Sequence, residues 1–194
     1  IIEEHAINLT IKNPIISYED LDKIKYIDHL NFKSSSIECL YDFKKGHNGI
    51  EEALDKIVEL IEKYIDKGTN IIILSDRNVS KKKAPIPILL ACSYVHQTMI
   101  SKNKRSKFGI IIESAEPREP HHFSMLFGYG ASAINPYLVN EIIIYHHKIG
   151  YIENISLDQA IKNFNEAIAM GILKVMNKIG ISTLNSYRGS QIFE

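Results

Sequence analysis

The chain has 194 residues, of which 45% are apolar and 24% charged, as is typical of a soluble globular protein with one domain or one domain plus part of another. Its 23 basic residues balance 23 acidic ones, which argues against binding to nucleic acid or an anionic membrane surface, and no apolar run approaches the roughly 18 to 20 residues that cross a bilayer. Cys39 and Cys92 lack CxxC spacing and are predicted to be free thiols, which excludes a disulfide scaffold and an iron–sulfur or structural zinc site built by this chain alone.

The ends of the sequence indicate a piece of a longer polypeptide. The chain begins at Ile1 and stops at Glu194 in residues typical of a helix, without a capping glycine. The opening residues also lack the apolar segment of a secretory signal. Because the segment is expected to belong to a longer chain, this says nothing about export: the localisation stays unknown, and the expectation is a soluble protein, cytoplasmic or organellar.

The first predicted elements are a short helix, a strand and a long helix. Ser17 can cap a helix that begins at Tyr18, because its hydroxyl can accept a hydrogen bond from a backbone N–H of the first turn. Residues 32–43 are rich in aromatic and apolar side chains and are predicted to form a strand. Apolar residues recur at helical spacing over residues 50–65, and Gly68 marks the end of that helix.

The middle of the chain alternates apolar strands with helices. Continuous apolar runs, typical of strands buried on both faces of a parallel sheet, occur within residues 70–76 and 108–113, and residues 131–135 are predicted to form a third short strand. Helices are predicted between them, at residues 86–100 and 120–129. The predicted fold class is therefore α/β, with a mostly parallel β-sheet and alternating helices, open or closed into a barrel.

The last part of the sequence is predicted to be largely helical. Ser156 and Gln159 form a capping box for a helix, within which Gly171 predicts a break or the start of a second helix. Residues 145–154, which precede this helix, are expected to form an inserted loop. A new strand is expected after Gly180.

Polar residues follow the predicted strands and should meet at one edge of the sheet, because parallel strands all end on the same side. The candidate structural, channel-lining or binding residues are Asp76, Arg77, Glu113, Glu116, Arg118, His121 and Asn135. This group favours two interpretations: a polar ligand pocket, or a set of ion pairs that closes the loops. In the second interpretation, Arg118 is buried against Glu113 or Asp76, and its removal destabilises the fold.

The sequence patterns argue against metal, nucleotide and nucleic-acid sites. The histidine pairs at 121–122 and 146–147 have poor spacing for chelation, because adjacent helical side chains point about 100° apart. The glycines within 128–130 precede a strand, whereas a dinucleotide-binding turn follows one, so they predict a helix end. The lysine-rich segments 81–83 and 102–107 lack interleaved aromatic residues and are predicted to be solvated turns.

A series of motifs resembles the central domain of the glutamate synthase large chain. The motifs are ILSDR at 73–77, APIP at 84–87, EPRE at 116–119, HHF at 121–123, GYGA at 128–131, INPY at 134–137, KVM at 174–176, SYRG at 186–189 and QIFE at 191–194. The resemblance covers nearly the whole sequence from Asn13 onward. It implies a central α/β domain over residues 1–155, followed at 156–194 by connecting helices and the truncated start of the FMN-binding barrel.

The resemblance also implies a function. The parent enzymes move the amide nitrogen of glutamine onto 2-oxoglutarate in a reductant-dependent reaction that yields two glutamates. The implied role of this chain is a non-catalytic domain that joins the glutaminase and FMN domains of the same polypeptide and helps form the ammonia passage. The alternative is a free-standing α/β enzyme or small-ligand-binding protein that uses the strand-edge residues.

The cofactors implied by the resemblance belong to the parent enzyme. They are FMN and an iron–sulfur cluster, and this segment is expected to hold no cofactor, no metal and no catalytic residue of its own. Lys178 and Gly180 are the residues that we expect near the FMN phosphate or the substrate carboxylate.

Overall fold

The computed structural model describes residues 9–11 and 13–193. The helices are α1 (Tyr18–Lys25), α2 (Gly46–Asp66), α3 (Ile88–Ser101), α4 (Pro120–Gly128), α5 (Tyr137–Lys148), α6 (Leu157–Lys178) and α7 (Leu184–Tyr187). The strands are β1 (Ser34–Glu38), β2 (Leu40–Asp42), β3 (Ile71–Ser75), β4 (Lys83–Pro85), β5 (Gly109–Glu113) and β6 (Ala133–Asn135). No helix within these described residues is long and apolar enough to cross a membrane.

The main sheet has four strands in the order β1-β3-β5-β6, and all of its pairings are parallel. In this register Ile73 of β3 lies between Ser36 of β1 and Ile111 of β5. Helices α2, α3 and α4 lie between successive strands of this sheet in the sequence. The predicted α/β class is confirmed, and the sheet is open rather than closed into a barrel in the described part of the chain.

Burial on both faces of the sheet explains the continuous apolar runs. Successive residues of a strand point to opposite sides. Ile72 and Leu74 of β3 belong to the larger core, which the sheet forms with α2, α3, α4 and α6. Ile71 and Ile73 belong to the smaller core on the other side, where they pack with Leu21 of α1. Helix α1 therefore covers the face of the sheet that the connecting helices leave open.

The segment before α1 lies along the outer edge of β6. The backbone N–H of Ile16 donates to the carbonyl of Ile134 at 2.9 Å, and the N–H of Ile134 donates to the carbonyl of Pro14 at 2.8 Å. These bonds give partners to backbone N–H and C=O groups on the outer edge of β6, which no other strand of the described sheet covers. Ser17 then caps α1 as predicted, with its Oγ accepting from the backbone N of Asp20 at 3.1 Å.

The single strand predicted at residues 32–43 is wrong, because two strands in different sheets occupy this segment. β1 belongs to the main sheet, whereas β2 pairs with β4 in a two-stranded antiparallel sheet. The buried Cys39 lies between them. Its N–H donates to the carbonyl of Ser75 at 2.7 Å, and its own carbonyl accepts from the N–H of Ile86 at 2.9 Å. The backbone thus changes hydrogen-bonding partners at this cysteine.

Helix α5 occupies part of the segment that was expected to be an inserted loop. It continues through Tyr145 to Lys148, so the loop prediction is wrong for these residues. Within α5 only Asn140 is buried. The apolar side chains of α5 therefore form no buried stripe, and a buried stripe is the feature that makes a helix visible in a sequence.

Helix α6 runs unbroken through Gly171, contrary to the predicted break. A Cβ atom at Gly171 would lie 2.5 Å from both Cβ and Cγ of Pro120. Glycine is therefore required where α6 crosses the first turn of α4, and this packing outweighs its low helix propensity. After Gly180 the chain forms α7 rather than the predicted strand. Ile172 of α6 and Tyr187 of α7 pack in the larger core.

Replacing Gly171 by Leu is expected to lower the free energy of unfolding by about 1 to 3 kcal/mol, because the new side chain must displace Pro120. The loss should exceed the gain of up to about 1 kcal/mol that most residues bring over Gly in a helix interior. Urea unfolding followed by circular dichroism measures the difference. Ala167→Leu, on an exposed position one turn earlier, is the control and should change stability by less than about 0.5 kcal/mol. Wild-type stability in Gly171→Leu would contradict this packing.

Candidate functional site

Polar side chains gather at the carboxyl ends of the parallel strands. Ser75 of β3 pairs in register with Glu113 of β5, which pairs in turn with Asn135 of β6. Asp76 and Arg77 follow β3 directly. The structure thus brings together four of the predicted site residues, referred to below as the strand-edge cluster: Asp76, Arg77, Glu113 and Asn135.

Glu113 carries the central negative charge of this cluster. Its side chain is 3% exposed, and its Oε1 accepts hydrogen bonds from Arg77 Nε at 2.7 Å and from Lys25 Nζ at 2.9 Å. Burial by itself raises the pKa of this carboxyl, but hydrogen bonds from Lys25, Ser75 and Arg77 outweigh burial and lower the pKa below its ordinary value. The ionised Glu113 therefore ties the end of α1 to the ends of β3 and β5.

Asp76 is a second buried carboxylate, and the loop after β5 wraps around it. Ser114 Oγ donates to Asp76 Oδ2 at 2.5 Å, and the backbone N of Ala115 lies 3.2 Å from both carboxylate oxygens. Burial and the adjacent Asp76 carboxylate raise the pKa of the Tyr137 hydroxyl above its ordinary value. The hydroxyl of Tyr137 therefore stays protonated beside this carboxylate at neutral pH.

Two tyrosine rings flank Arg77. The guanidinium carbon lies 4.2 Å from the ring centroid of Tyr137 and 5.3 Å from that of Tyr18, distances suited to cation–π attraction. The hydroxyl of Tyr18 lies 2.8 Å from the backbone carbonyl of Tyr137 and 2.9 Å from Oε1 of Glu141. Burial is the main cause that raises the pKa of Tyr18 to about 12. These contacts hold Arg77 in place against Glu113.

Asn135 is completely buried at the end of β6. Its Nδ2 donates to the carbonyl of Ile16 at 2.9 Å, which fixes the segment before α1, whereas its Oδ1 has no hydrogen-bond partner in the described part of the structure. The side chain of Asn135 thus ties the end of β6 to the segment before α1.

Glu116 follows β5 but serves α3 rather than the strand-edge cluster. Its Oε2 accepts from the backbone N of Ile88 at 3.1 Å and so satisfies one of the free N–H groups at the start of α3. Glu116 is exposed as a whole residue, but partial desolvation of its carboxyl is the main cause that raises its pKa above the ordinary value. The structure thus gives Glu116 a helix-capping role.

Arg118 does not join the strand-edge cluster, and the prediction that it is buried against Glu113 or Asp76 is wrong. Arg118 is exposed, and its backbone N donates to Nδ1 of His122 at 3.2 Å. Its guanidinium forms no ion pair with any residue that the structure describes. His121 is likewise exposed, at the start of α4.

Lys178 and Gly180 lie at the end of α6, away from the strand-edge hydrogen bonds. Lys178 is the last residue of the helix and is exposed, and Gly180 has a φ of 73° with open space where a Cβ would stand. Among the described residues Lys178 has no ion-pair partner. Its ammonium group is therefore accessible to an anionic group from outside this domain.

The family model of the glutamate synthase central domain matches residues 2–194 of this sequence. The chain belongs to the glutamate synthase central domain family. The resemblance carried by the sequence motifs is thereby confirmed.

The relatives of this central domain are much longer polypeptides. The chain is 40% identical to the glutamate synthase (NADPH) large chain of Bacillus subtilis over 192 residues. This aligned stretch makes up 99% of this chain and 12% of that protein. It is 36% identical to the glutamate synthase (NADH) of Saccharomyces cerevisiae, over 96% of this chain and 9% of that protein. It is 33% identical to the chloroplastic ferredoxin-dependent glutamate synthase of Spinacia oleracea, over 98% of this chain and 12% of that protein. The central domain thus spans about a tenth of the length of these relatives.

Solved structures of mutant flavocytochrome b2 share the fold of the central domain. The structure with benzoylformate aligns with a TM-score of 0.56 at 12% identity, over 90% of this chain and 37% of that one. The structure with sulfite bound aligns with a TM-score of 0.54 at 13% identity, over 90% of this chain and 38% of that one. At such low identity the likeness shows the fold alone.

Two residues that complete the strand-edge cluster were not found from the sequence of the central domain. Lys25 reaches Glu113 across 88 positions of sequence, and Tyr18 reaches Tyr137 across 119. Both come from α1, whose place beneath the sheet is set by its apolar face and not by any local motif. No spacing rule within the sequence signals contacts at such separations.

Proposed function

We propose that this chain is a non-catalytic central domain of a glutamate synthase, joining the glutaminase domain to the FMN domain and helping to form the ammonia passage. In the parent reaction, glutamine, 2-oxoglutarate and a reductant give two glutamates. The observation that carries this proposal is the internal pairing of the strand-edge cluster, together with membership of the central domain family. Residues 1–155 would form the central domain proper, and residues 156–194 would lead into the FMN barrel.

The pairing of the cluster favours a structural role over a free-standing enzyme. Glu113 accepts from two cations, and Asp76 accepts from Ser114 and Ala115. Both cations at this edge are thereby held against Oε1 of Glu113. These contacts hold α1 and the loops at the strand ends in one arrangement, which suits a domain that keeps two neighbouring domains at a fixed distance.

A cavity beside α1 offers a surface suited to ammonia. It has a volume of about 530 Å³ and is lined by Asn140 of α5 and Asn165 of α6, among others. The Oδ1 atoms of both side chains are buried and have no hydrogen-bond partner in the described part of the chain. Ammonia carries N–H donors, and rotation of either amide toward the cavity would offer it an acceptor oxygen. We infer that the ammonia passage runs along this cavity in the full-length enzyme.

FMN and the iron–sulfur cluster belong, in this proposal, to the parent enzyme outside this chain. Bound FMN would supply electron transfer to the 2-oxoglutarate half-reaction. The exposed ammonium of Lys178 and the bare backbone at Gly180 fit an anionic group of the cofactor or the substrate. In this proposal the end of α6 contributes a single charged contact, to an anionic group of either the cofactor or the substrate.

Replacing Asn165 by Leu in the full-length enzyme is expected to uncouple the two half-reactions. Glutamine hydrolysed per 2-oxoglutarate consumed should rise by about two- to tenfold, as expected for the loss of a hydrogen bond worth roughly 0.5 to 1.5 kcal/mol. Glutaminase and 2-oxoglutarate assays on the same sample measure the ratio. Asn163→Leu, at an exposed position of the same helix, is the control and should leave the ratio unchanged. Unchanged coupling in Asn165→Leu would exclude a passage along this cavity.

A further inference from the structure

A cavity lined by two arginines lies at the amino ends of the strands, the edge opposite to the strand-edge cluster. It has a volume of about 290 Å³, and Arg105, Arg188 and Ser132 are among the residues that line it. Gly109, which begins β5, also lines it, and Ser132 directly precedes β6. The proposed function makes no use of this cavity.

All hydrogen bonds of Arg105 go to neutral acceptors. Its Nε donates to Nδ1 of His96 at 3.0 Å, its Nη1 to the carbonyl of Phe108 at 2.6 Å, and its Nη2 to the carbonyl of Gly130 at 2.7 Å. Burial, followed by the Arg105 charge, lowers the pKa of His96 to about 4, so this imidazole stays neutral at physiological pH and accepts through Nδ1. Of the five N–H groups of Arg105, three are used and two remain.

Arg188 also donates its hydrogen bonds to neutral acceptors. Its Nη1 donates to Ser132 Oγ at 2.7 Å, and its Nη2 donates to Oδ1 of Asn185. No carboxylate within residues 9–11 and 13–193 forms an ion pair with Arg105 or Arg188. This contrasts with Arg77, which faces Glu113. Two positive charges therefore share one cavity without a counter-charge from the described residues.

This arrangement carries an electrostatic cost. Burial lowers the pKa of both guanidinium groups, and the charge of Arg188 further lowers that of Arg105. Partly buried charges in proteins are normally paired. An anion between the two side chains would remove their mutual repulsion and accept their remaining N–H groups.

The backbone around the cavity keeps the arginines in this position. Gly130 has a φ of 98°, and a Cβ there would overlap Nδ1 of His96. Glycine thus allows the carbonyl of Gly130 and the ring of His96 to approach Arg105 together. Arg105 and Arg188 bind the chain at Gly130 and Ser132, which are two positions apart and fix the separation of the two side chains.

We propose that this cavity binds a free small oxyanion, with Arg105 and Arg188 as its cationic ligands. Guanidinium groups match the oxygens of carboxylate and phosphate through paired N–H donors. The hydroxyl of Ser132 offers a further donor at the same place. Inorganic phosphate is a suitable probe because it is small enough to enter and carries the required oxygens.

The test measures the reaction of individual arginines with phenylglyoxal in the full-length polypeptide, read by peptide mass spectrometry. At constant ionic strength, saturating phosphate should slow the modification of Arg105 and Arg188 by about tenfold, as expected for a site that is about 90% occupied. The exposed Arg118 is the internal control and should react at an unchanged rate. An equal effect at Arg118, or no effect at Arg105 and Arg188, would overturn the proposal. Protection that is complete before phosphate is added would also overturn it, since a carboxylate of another segment would then occupy the cavity.

Ser132→Asp supplies a carboxylate within the cavity and should replace the external anion. In this variant Arg188 should react slowly without phosphate, and the affinity for phosphate should fall by about tenfold or more because the two anions compete for the same donors. Ser132→Asn is the uncharged control and should keep the phosphate affinity within about threefold. Arg188→Gln gives an independent test, because phosphate should then no longer protect Arg105. Unchanged phosphate affinity in Ser132→Asp or persistent protection in Arg188→Gln would contradict the site.

Discussion

Replacing Lys178 by Met in the full-length enzyme is expected to reduce glutamate formation from 2-oxoglutarate by about 30- to 1,000-fold. Loss of a charge-assisted pair between a cation and an anionic substrate or cofactor group costs about 2 to 4 kcal/mol, and each 1.4 kcal/mol is about tenfold. Glutamine hydrolysis should stay within about threefold of the wild-type rate, because the two reactions use different domains. Separate steady-state assays of the two half-reactions measure these rates.

Lys174→Met is the matched control for Lys178→Met. Lys174 is also exposed and lies one turn earlier on α6. It should leave both half-reactions within about threefold of wild type, the range expected for a change under about 1 kcal/mol. Equal losses in both half-reactions of Lys178→Met, or no loss in either, would mean that Lys178 only stabilises the helix end through its charge.

Replacing Glu113 by Gln is expected to lower the free energy of unfolding by about 2 to 4 kcal/mol, since Arg77 and Lys25 would both lose a buried carboxylate partner. The range lies below that for fully buried pairs because the two cations retain some contact with solvent. Urea unfolding measures the change. Glu38→Gln removes an exposed ion pair with Lys83 and should cost less than about 1 kcal/mol. Comparable losses in the two variants would show that the strand-edge cluster contributes no more than a surface pair.

The contribution of Glu113 should also depend on pH. Its pKa in the folded protein is lower than the ordinary value for a glutamate, so the unfolded chain takes up the proton first as the pH falls. The stabilisation is therefore complete above the unfolded pKa and disappears as the pH falls through the folded pKa. The difference in unfolding free energy between wild type and Glu113→Gln should be constant near neutral pH and shrink below about pH 4.5. A gap that widens at low pH would contradict the assigned direction.

The sequence predicted those elements whose burial leaves a periodic or continuous apolar pattern. The runs at residues 70–76 and 108–113 indicated β3 and β5 because both faces of these strands are covered. Ser17 and Ser156 indicated the starts of α1 and α6, since both hydroxyls accept from the first turn of their helices. Helix α5, in which only Asn140 is buried, left no such pattern, and its last turn, residues 145–148, was expected to be a loop.

Other features depend on contacts between distant parts of the chain. Gly171 has a low intrinsic helix propensity, but the proximity of Pro120 decides its role, and no local rule contains this information. The sequence placed Glu113 correctly at the strand edge together with Arg77, one of its two cations, but it also expected Arg118 there and missed Lys25. Arg118 is close in sequence but exposed, whereas Lys25 arrives from α1.

The most direct measurement of the central claim is ammonia release from glutamine by the 194-residue chain purified alone. Circular dichroism should first show that the chain has folded with its helices intact. A non-catalytic central domain predicts ammonia release no faster than in buffer and a visible spectrum without bound flavin. Sustained release that Glu113→Gln abolishes would contradict the account, because the strand-edge cluster would then be an active site rather than a structural support.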